Sequence, residues 1–275
     1  MTDDQISASA SLRSSQLGLA ITDIQAGLRR FELWGILGWH DIRQRYRRSV
    51  IGPFWLTIST AVMVGAMGFL YARIFKQDVS TYLPYLAVGL VVWGTISTMV
   101  NESCTVFTTA EQIIKQIRVP LTTHVCRLVW RNAIIFAHNA IILAVVMLWY
   151  GSVTFPNLVA ALLGIVALFL AGIWGGLVIG ILCTRFRDVP PLVANVMQIA
   201  FFVTPILWHR DVLGDRTWMT AWNPIFHLVE VVRAPLIGHQ LPAASYAYVL
   251  AMTAGGFLFA LAMLTRYRSR VPYWL

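Results

Sequence analysis

Lysine is almost missing from this chain: of its 21 basic residues only Lys76 and Lys115 are lysines, and the other nineteen are arginines. A phosphate-binding P-loop needs a lysine directly after a glycine, whereas Lys76 follows Phe75 and Lys115 follows Ile114. ATP binding through that motif is therefore excluded. Charge of either sign is scarce, at 12% of residues against about 25% in an ordinary soluble domain. None of the twelve acids falls in the middle of an apolar run, where a proton- or ion-coupled path would place them. The three cysteines, Cys104, Cys126 and Cys183, are odd in number and lack metal-ligand spacing, so neither a disulfide nor a metal site is expected. The opening MTDDQISASASLRSSQ has no basic stretch leading into an apolar core, as a secretory signal would. No repeat is visible, and a single membrane domain is expected over residues 1–275.

What the chain has in abundance is apolar length. Hydrophobic residues make up 58% of it and the mean hydropathy is +0.68, the composition of an all-α integral membrane protein. A crossing helix needs about 20 mostly apolar residues, and six stretches meet or approach that: 53–73, 82–102, 132–150, 157–183, 190–208 and 243–264. Residues 1–52 and 265–275 are then tails around a six-helix unit over 53–264. With both tails inside, sixteen basic residues fall on that side and five outside, namely Arg73, Lys76, Arg210, Arg216 and Arg233. Charge near the membrane fixes that orientation, so both termini are expected in the cytoplasm.

Three segments outside the spans carry pattern. Before the first, DIQAGLRRFELWGILGWHDI sets Ile24, Leu28, Phe31 and Gly35 on one stripe beside Trp34 and Trp39, which predicts an amphipathic helix on the inner membrane surface or packed on the bundle. Between spans two and three, Ile113, Ile114 and Ile117 alternate with Glu111, Lys115 and Arg118 ahead of Pro120. That predicts a short amphipathic helix over 111–118, a natural docking knob. Between spans five and six, NPIFHLVEVVRAPLIG offers Asn223 as N-cap, Pro224 at the first helical position and Gly238 as stop. Its apolar part is too short to cross, so one or two short external helices, re-entrant or lying on the outer face, are expected.

Several constellations have more than one reading. His138, Asn139, Asn195 and Gln198 lie within spans and read as interhelical hydrogen-bonding groups. Gly172, Gly176 and Gly180 recur every fourth residue and make a smooth packing face. Glu230 and Arg233 are three apart on the external helix and form either a surface ion pair or a lock. Phe54, Trp55, Phe69, Tyr71, Trp93, Phe201, Phe202 and Trp208 serve as interfacial belts or as surfaces on which sugar rings stack. Finally, DIRQRYRRSVIGPFWL sets Arg43, Arg45, Arg47 and Arg48 directly before the first apolar run. Such charge fixes topology and attracts anionic lipid at about 1 kcal/mol per residue, or its guanidinium forks receive a phosphate-bearing substrate. Nucleic acid is excluded by the nearness of the bilayer.

Taken in order, these residues resemble the ABC-2 type permeases that export lipid-linked polysaccharides such as O-antigen, capsule and teichoic acid. The segment DIRQRYRRSVIGPFWLTI is similar to that family's signature, an aspartate and basic residues before a Leu-Gly-Pro-Leu-Trp-like sequence, here Ile51, Gly52, Pro53, Phe54 and Trp55. IIKQIRVPLTTHVCRLV resembles the family's coupling helix, with Val119 and Leu121 flanking the proline where the family has Phe-Pro-Arg. RFRDVPPLVANVMQIAFFVTPILW resembles its inner loop and fifth span, and WNPIFHLVEVVRAPLIG its external gate. The likeness covers nearly the whole chain. It implies a homodimer in the bacterial inner membrane, each copy docked to a separate ATPase subunit that holds the ATP and Mg; this chain would have no catalytic residue, metal or cofactor of its own. An undecaprenyl-diphosphate-linked glycan would pass between the copies. By the same resemblance Arg43, Arg45, Arg47, Arg48, Ile51 and Gly52 would receive the lipid head group. Phe54, Trp55, Phe69, Tyr71, Phe201, Phe202 and Trp208 would contact sugars. Glu111, Ile114, Lys115 and Arg118 would couple to the ATPase, and Asn223, Pro224, Glu230 and Arg233 would belong to the gate. A drug or lipid permease of the same family is the alternative in transport. A membrane glycosyl- or acyltransferase would need an inward acid or histidine constellation, for which only His138 is a candidate.

Overall fold

Inside a bilayer no water can take up backbone amides and carbonyls, so long apolar runs close their hydrogen bonds within helices. The computed structural model describes residues 3–47, 51–52, 54–117, 119–150, 153–216 and 218–275, without the side chains of 3–15 and of 215, and every regular element among them is helical. Five helices are long and apolar enough to cross a membrane: α3 (Phe54–Ile74), α4 (Val79–Ser103), α6 (Leu121–Tyr150), α7 (Phe155–Arg185) and α11 (Ala243–Tyr267). The others are α1 (Asp3–Arg29), α2 (Phe31–Arg45), α5 (Glu111–Gln116), α8 (Val189–Val203), α9 (Trp218–Ala221), α10 (Pro224–Leu236) and α12 (Val271–Trp274), with a tighter 3-10 turn at Arg210–Arg216.

The bundle is organised around α4, whose apolar stretch is 78% buried, compared with 17% for α3. Helices α3, α6, α7, α8 and α10 all pack on it, and α3 touches α6, α6 touches α7 and α7 touches α8. Helices α3 and α8 both pack on α4 but not closely on one another, which leaves an opening between them. The predicted glycine face does pack: a Cβ at Gly172 would lie 2.8 Å from Met99, at Gly176 2.7 Å from Val125 and at Gly180 2.6 Å from Val106. Helix α7 is thereby pressed onto α4, α6 and the turn between α4 and α5. Helices α1, α2, α5 and α12 gather at the end of the bundle that carries both tails, here the terminal end. Residues 75–78, 153–154, 204–216 and 218–242 lie at the distal end.

Four expectations are revised by this arrangement. The surface helix is two helices, broken at Arg30 (φ −82°, ψ 47°), so that α1 docks at the start of α6 while α2 runs along it. Leu28 and Phe31 of the predicted stripe point away from the bundle, where Trp34, Gly38 and Ile42 pack instead. The third long helix starts at Leu121, eleven residues before 132, because Arg127 and Arg131, which look like loop charge, have acidic partners. The fifth apolar stretch stays helical only to Val203; Thr204 is extended (ψ 134°) ahead of Pro205, as a residue before proline prefers. At about 22 Å, α8 is shorter than a bilayer core of about 30 Å. The external helix α10 does not lie on a surface, since ten of its 13 residues are buried against α4, α7 and α11.

Candidate functional site

The first group of predicted site residues divides at the terminal end. Arg43 and Arg47 line a cavity of about 720 Å³ together with Trp39, His40, Tyr46 and Gly52. Gly52 turns the chain there with φ +62°, a left-handed conformation glycine adopts without strain, and Ile51 is exposed beside it. Arg45 points elsewhere, to Glu102 at 3.3 Å. Arg48 and Pro53 lie outside the described residues.

Arg45 is the edge of an ionic network that the sequence reading missed. Asp41 of α2 accepts both prongs of the Arg127 fork and also Arg131 Nη1 at 3.0 Å, while Glu102 of α4 accepts Arg131 Nη2 at 2.7 Å and Asn132 at 2.8 Å. Burial alone would raise the Asp41 carboxyl, but the hydrogen bonds and charge of Arg127, then Arg131, outweigh it and hold its pKa below the ordinary aspartate value. A second missed group is Asp23, 4% exposed in α1. Its carboxylate accepts the amides of Leu121 and Thr122, each at 3.1 Å, and the Thr122 hydroxyl at 2.8 Å. It caps α6 from another helix, at the end where the macrodipole favours an anion. Gly27 permits that approach, since a Cβ there would meet Thr122 at 2.5 Å.

The predicted coupling segment folds as α5, about a turn and a half with no buried residue, ending at Gln116. Lys115 pairs with Glu111 at 2.6 Å, Ile114 packs against the core, and Arg118 lies outside the described residues. With α1 and the C-terminal residues Arg268 and Pro272, the isoleucines Ile114 and Ile117 line a groove of about 330 Å³.

The opening between α8 and α3 exposes one face of α4. From Tyr82 to Trp93 every residue is buried, and beyond it Gly94, Ser97, Thr98, Asn101 and Thr105 come to the surface or half-way to it. At about 100° per residue these five fall on one stripe. It carries no charge, and a Cβ at Gly94 would touch nothing within 4 Å. Toward the distal end the stripe stops at Trp93, which packs on Phe201 (5.4 Å), itself edge-on to Phe202 (5.4 Å). Asn195 and Gln198 are exposed on α8 and hydrogen-bond to no other helix among the described residues. The predicted aromatics are thus dispersed. Trp55 and Phe69 are exposed on α3, Phe54 meets His138 edge-on, Tyr71 stacks on Phe75, and Trp208 donates to the Phe202 carbonyl at 3.1 Å.

At the distal end the residues predicted for a gate form a closely packed hub. Residues 204–208 run beside the distal half of α4, where the Tyr85 hydroxyl donates to Pro205 O (2.8 Å) and Trp208 O (2.9 Å) and the Tyr82 hydroxyl to Leu207 O (2.6 Å). Arg233, 2% exposed, donates to Pro205 O at 2.7 Å and to Glu230 at 2.6 Å, and its guanidinium sits 4.0 Å from the Tyr85 ring centroid. Irregular backbone at membrane depth needs such internal partners, and Arg233 supplies one to the break after α8 from inside the bundle while its partner Glu230 stays 20% exposed. His209 stacks on Tyr85 at 3.8 Å, and burial, then the Arg233 charge, push its pKa down. Asn223 caps α10 as predicted, accepting from Ile225 and Phe226 and donating to Thr204, with Pro224 in the first turn.

The sequence profile described as ABC-2 type transporter matches residues 32–237, from the start of α2 through the gate helix. The chain belongs to the ABC-2 type transporter family. This ABC-2 protein is a multi-pass membrane protein, and the match takes in the Arg43–Arg47 cavity, the ionic network, the α4 stripe and the distal hub. It is similar to an O-antigen export system permease protein of Myxococcus xanthus, 24% identical over 225 residues covering 80% of this chain and 86% of the relative. Two proteins of the same description from Klebsiella pneumoniae are 23% identical, covering 84% of this chain and 89% of the relative, and 22% identical, covering 72% and 78%.

Proposed function

We propose that this ABC-2 protein is the permease subunit of an ATP-driven exporter that carries O-antigen, as a lipid-diphosphate-linked polysaccharide, across the bacterial inner membrane. Two copies pair across the opening between α8 and α3, each docked through α5 and its groove to an ATPase subunit that holds ATP and Mg. The chain acts as one membrane domain with both tails in the cytoplasm. In this reading α8 and the extended residues 204–208 together make the sixth crossing.

The observation that carries this reading is the uncharged polar stripe of Ser97, Thr98 and Asn101 on an otherwise buried helix. Lipid gains nothing from exposed amides and hydroxyls on a crossing helix, whereas sugar hydroxyls bond to them and sugar C–H faces lie on Phe201 and Phe202. The cavity of Arg43, Arg47 and Gly52 supplies the terminal-end counterpart, guanidinium forks suited to a diphosphate. A drug or neutral lipid would need neither feature. Replacing Arg43 and Arg47 by glutamine should leave the protein inserted, lower surface polysaccharide and accumulate lipid-linked precursor inside. Undiminished export would reject the head-group assignment, and ATP hydrolysis by the purified chain alone would reject the two-subunit reading.

A further inference from the structure

Helix α10 lies along only the first half of α7. Leu236 shares a cavity wall with Leu158 and Leu162, a Cβ at Gly164 would meet Val231 O, and Leu228 shares another wall with Leu168. Past Pro224, the first residue of α10, the slot it occupies continues as a cavity of about 200 Å³. Its sides are Met99 and Val100 of α4, Gly175 and Ile179 of α7 and Met252 of α11. Met99 and Leu168 are 4% and 1% exposed, whereas Val100, Gly175, Ile179 and Met252 are half-buried, so the cavity has a closed back and an open mouth. Helices α8 and α11, which do not pack closely on one another, leave that mouth open to the bilayer.

The lining offers nothing to water, which needs several polar partners to stay. The Ser103 hydroxyl donates to Met99 O at 2.6 Å, Trp174 Nε1 is sealed from the space, and no other side chain on the lining carries a polar atom. Apolar cavities of this order stay dry and take up apolar molecules instead. Left empty, the walls would forfeit van der Waals contact, and the medium at the mouth is hydrocarbon. Position then selects the chain. Residues 96–103 and 168–179 lie largely in the halves of α4 and α7 nearer the terminal end, where Arg185 and Arg187 are exposed. Ile179 is about 9 Å from Arg185 along the helix axis, at 1.5 Å per residue. A phospholipid whose phosphate meets those guanidinium groups therefore brings the outer part of a tail to the mouth. We infer that this cavity holds one acyl chain of a phospholipid from the terminal-side leaflet, lodged beneath α10 as the floor on which its first turn rests. This lipid is a resident of the fold and not the exported cargo, so its test does not depend on export.

The probe is a phosphatidylcholine with a diazirine at the end of one acyl chain, mixed at low fraction into phosphatidylethanolamine and phosphatidylglycerol discs that hold the full chain. After irradiation the labelled residues are mapped by mass spectrometry. Adducts are expected at Met99, Leu168 and Leu228, none more than 8% exposed and so beyond the reach of bulk lipid, as well as at outward residues such as Leu250, 74% exposed. Gly175→Leu fills the cavity, since a Cβ at Gly175 meets nothing within 4 Å. It should lose the three inner adducts and keep the one at Leu250, which reports that the chain is still inserted. Ile179→Trp narrows the mouth without altering the inner wall and should lose them too. No inner adduct in the wild type, or inner adducts undiminished in both variants, overturns the inference. A polyprenyl phosphate that displaces the phosphatidylcholine adducts from the inner positions would give the cavity to an isoprenoid tail and overturn it as well.

Discussion

The two ends of this bundle handle buried charge in opposite ways. At the distal end one guanidinium, Arg233, is almost wholly enclosed and divides its donors between Glu230 and Pro205 O against the Tyr85 ring. At the terminal end three arginines share two carboxylates around a cavity, their side chains from 15% exposed at Asp41 to 50% at Arg45. A closed pair has nowhere to go, whereas a shared set beside open space can exchange partners. The difference suits a transporter whose distal break must hold its shape while its terminal helices respond to a motor.

Substitutions that open one end and spare the other sharpen this contrast. Arg233→Ala leaves the buried Pro205 O and the partly exposed Glu230 without their guanidinium donor and should destabilise the protein by about 2–4 kcal/mol, measured by denaturant unfolding in micelles. Asp23→Ala removes the cap of α6 and three hydrogen bonds to a charge, an expected loss of about 2–3 kcal/mol, with the earliest rise in amide exchange at the start of α6. Asp41→Asn should have a smaller effect that depends on pH. Because the folded carboxyl titrates below the ordinary value of 3.8, its contribution is fully present above that value and is lost as pH falls through the depressed one. The unfolding midpoint of the wild type should therefore fall more steeply than that of Asp41→Asn on the acid side; parallel curves would show that the network does not hold Asp41 ionised. Lys115→Ala breaks only an exposed pair and should cost no more than about 0.5 kcal/mol, while co-purification with the ATPase declines.

How much of this was legible depended on whether a feature is local. The caps of α10 are written into neighbouring residues, and Asn223 and Pro224 are found where the sequence puts them. The glycine face of α7 is likewise a matter of spacing. Asp23 was invisible because its partners lie nearly a hundred positions away at Leu121 and Thr122. Arg127 and Arg131 misled for the same reason, since charge without a nearby acid reads as loop and hid the first turns of α6. The apolar run to Trp208 promised a longer α8, but hydropathy does not register that Tyr82, Tyr85 and Arg233 can satisfy an extended backbone as well as a helix does. The α4 stripe was missed because Ser97 and Asn101 are too few to lower the hydropathy of a span that is otherwise apolar.

A polysaccharide path along α4 requires that this stripe face water rather than lipid or packed protein. It is tested by single cysteines at Ser97 and Asn101 in a chain whose Cys104, Cys126 and Cys183 are serine, each reacted with a charged, membrane-impermeant maleimide. Leu148→Cys, at a position 87% exposed on an apolar surface, is the lipid-facing control. The stripe positions should react roughly tenfold faster or more than the control, since the thiolate forms in water and not in hydrocarbon. Labelling no faster than at Leu148→Cys would contradict it.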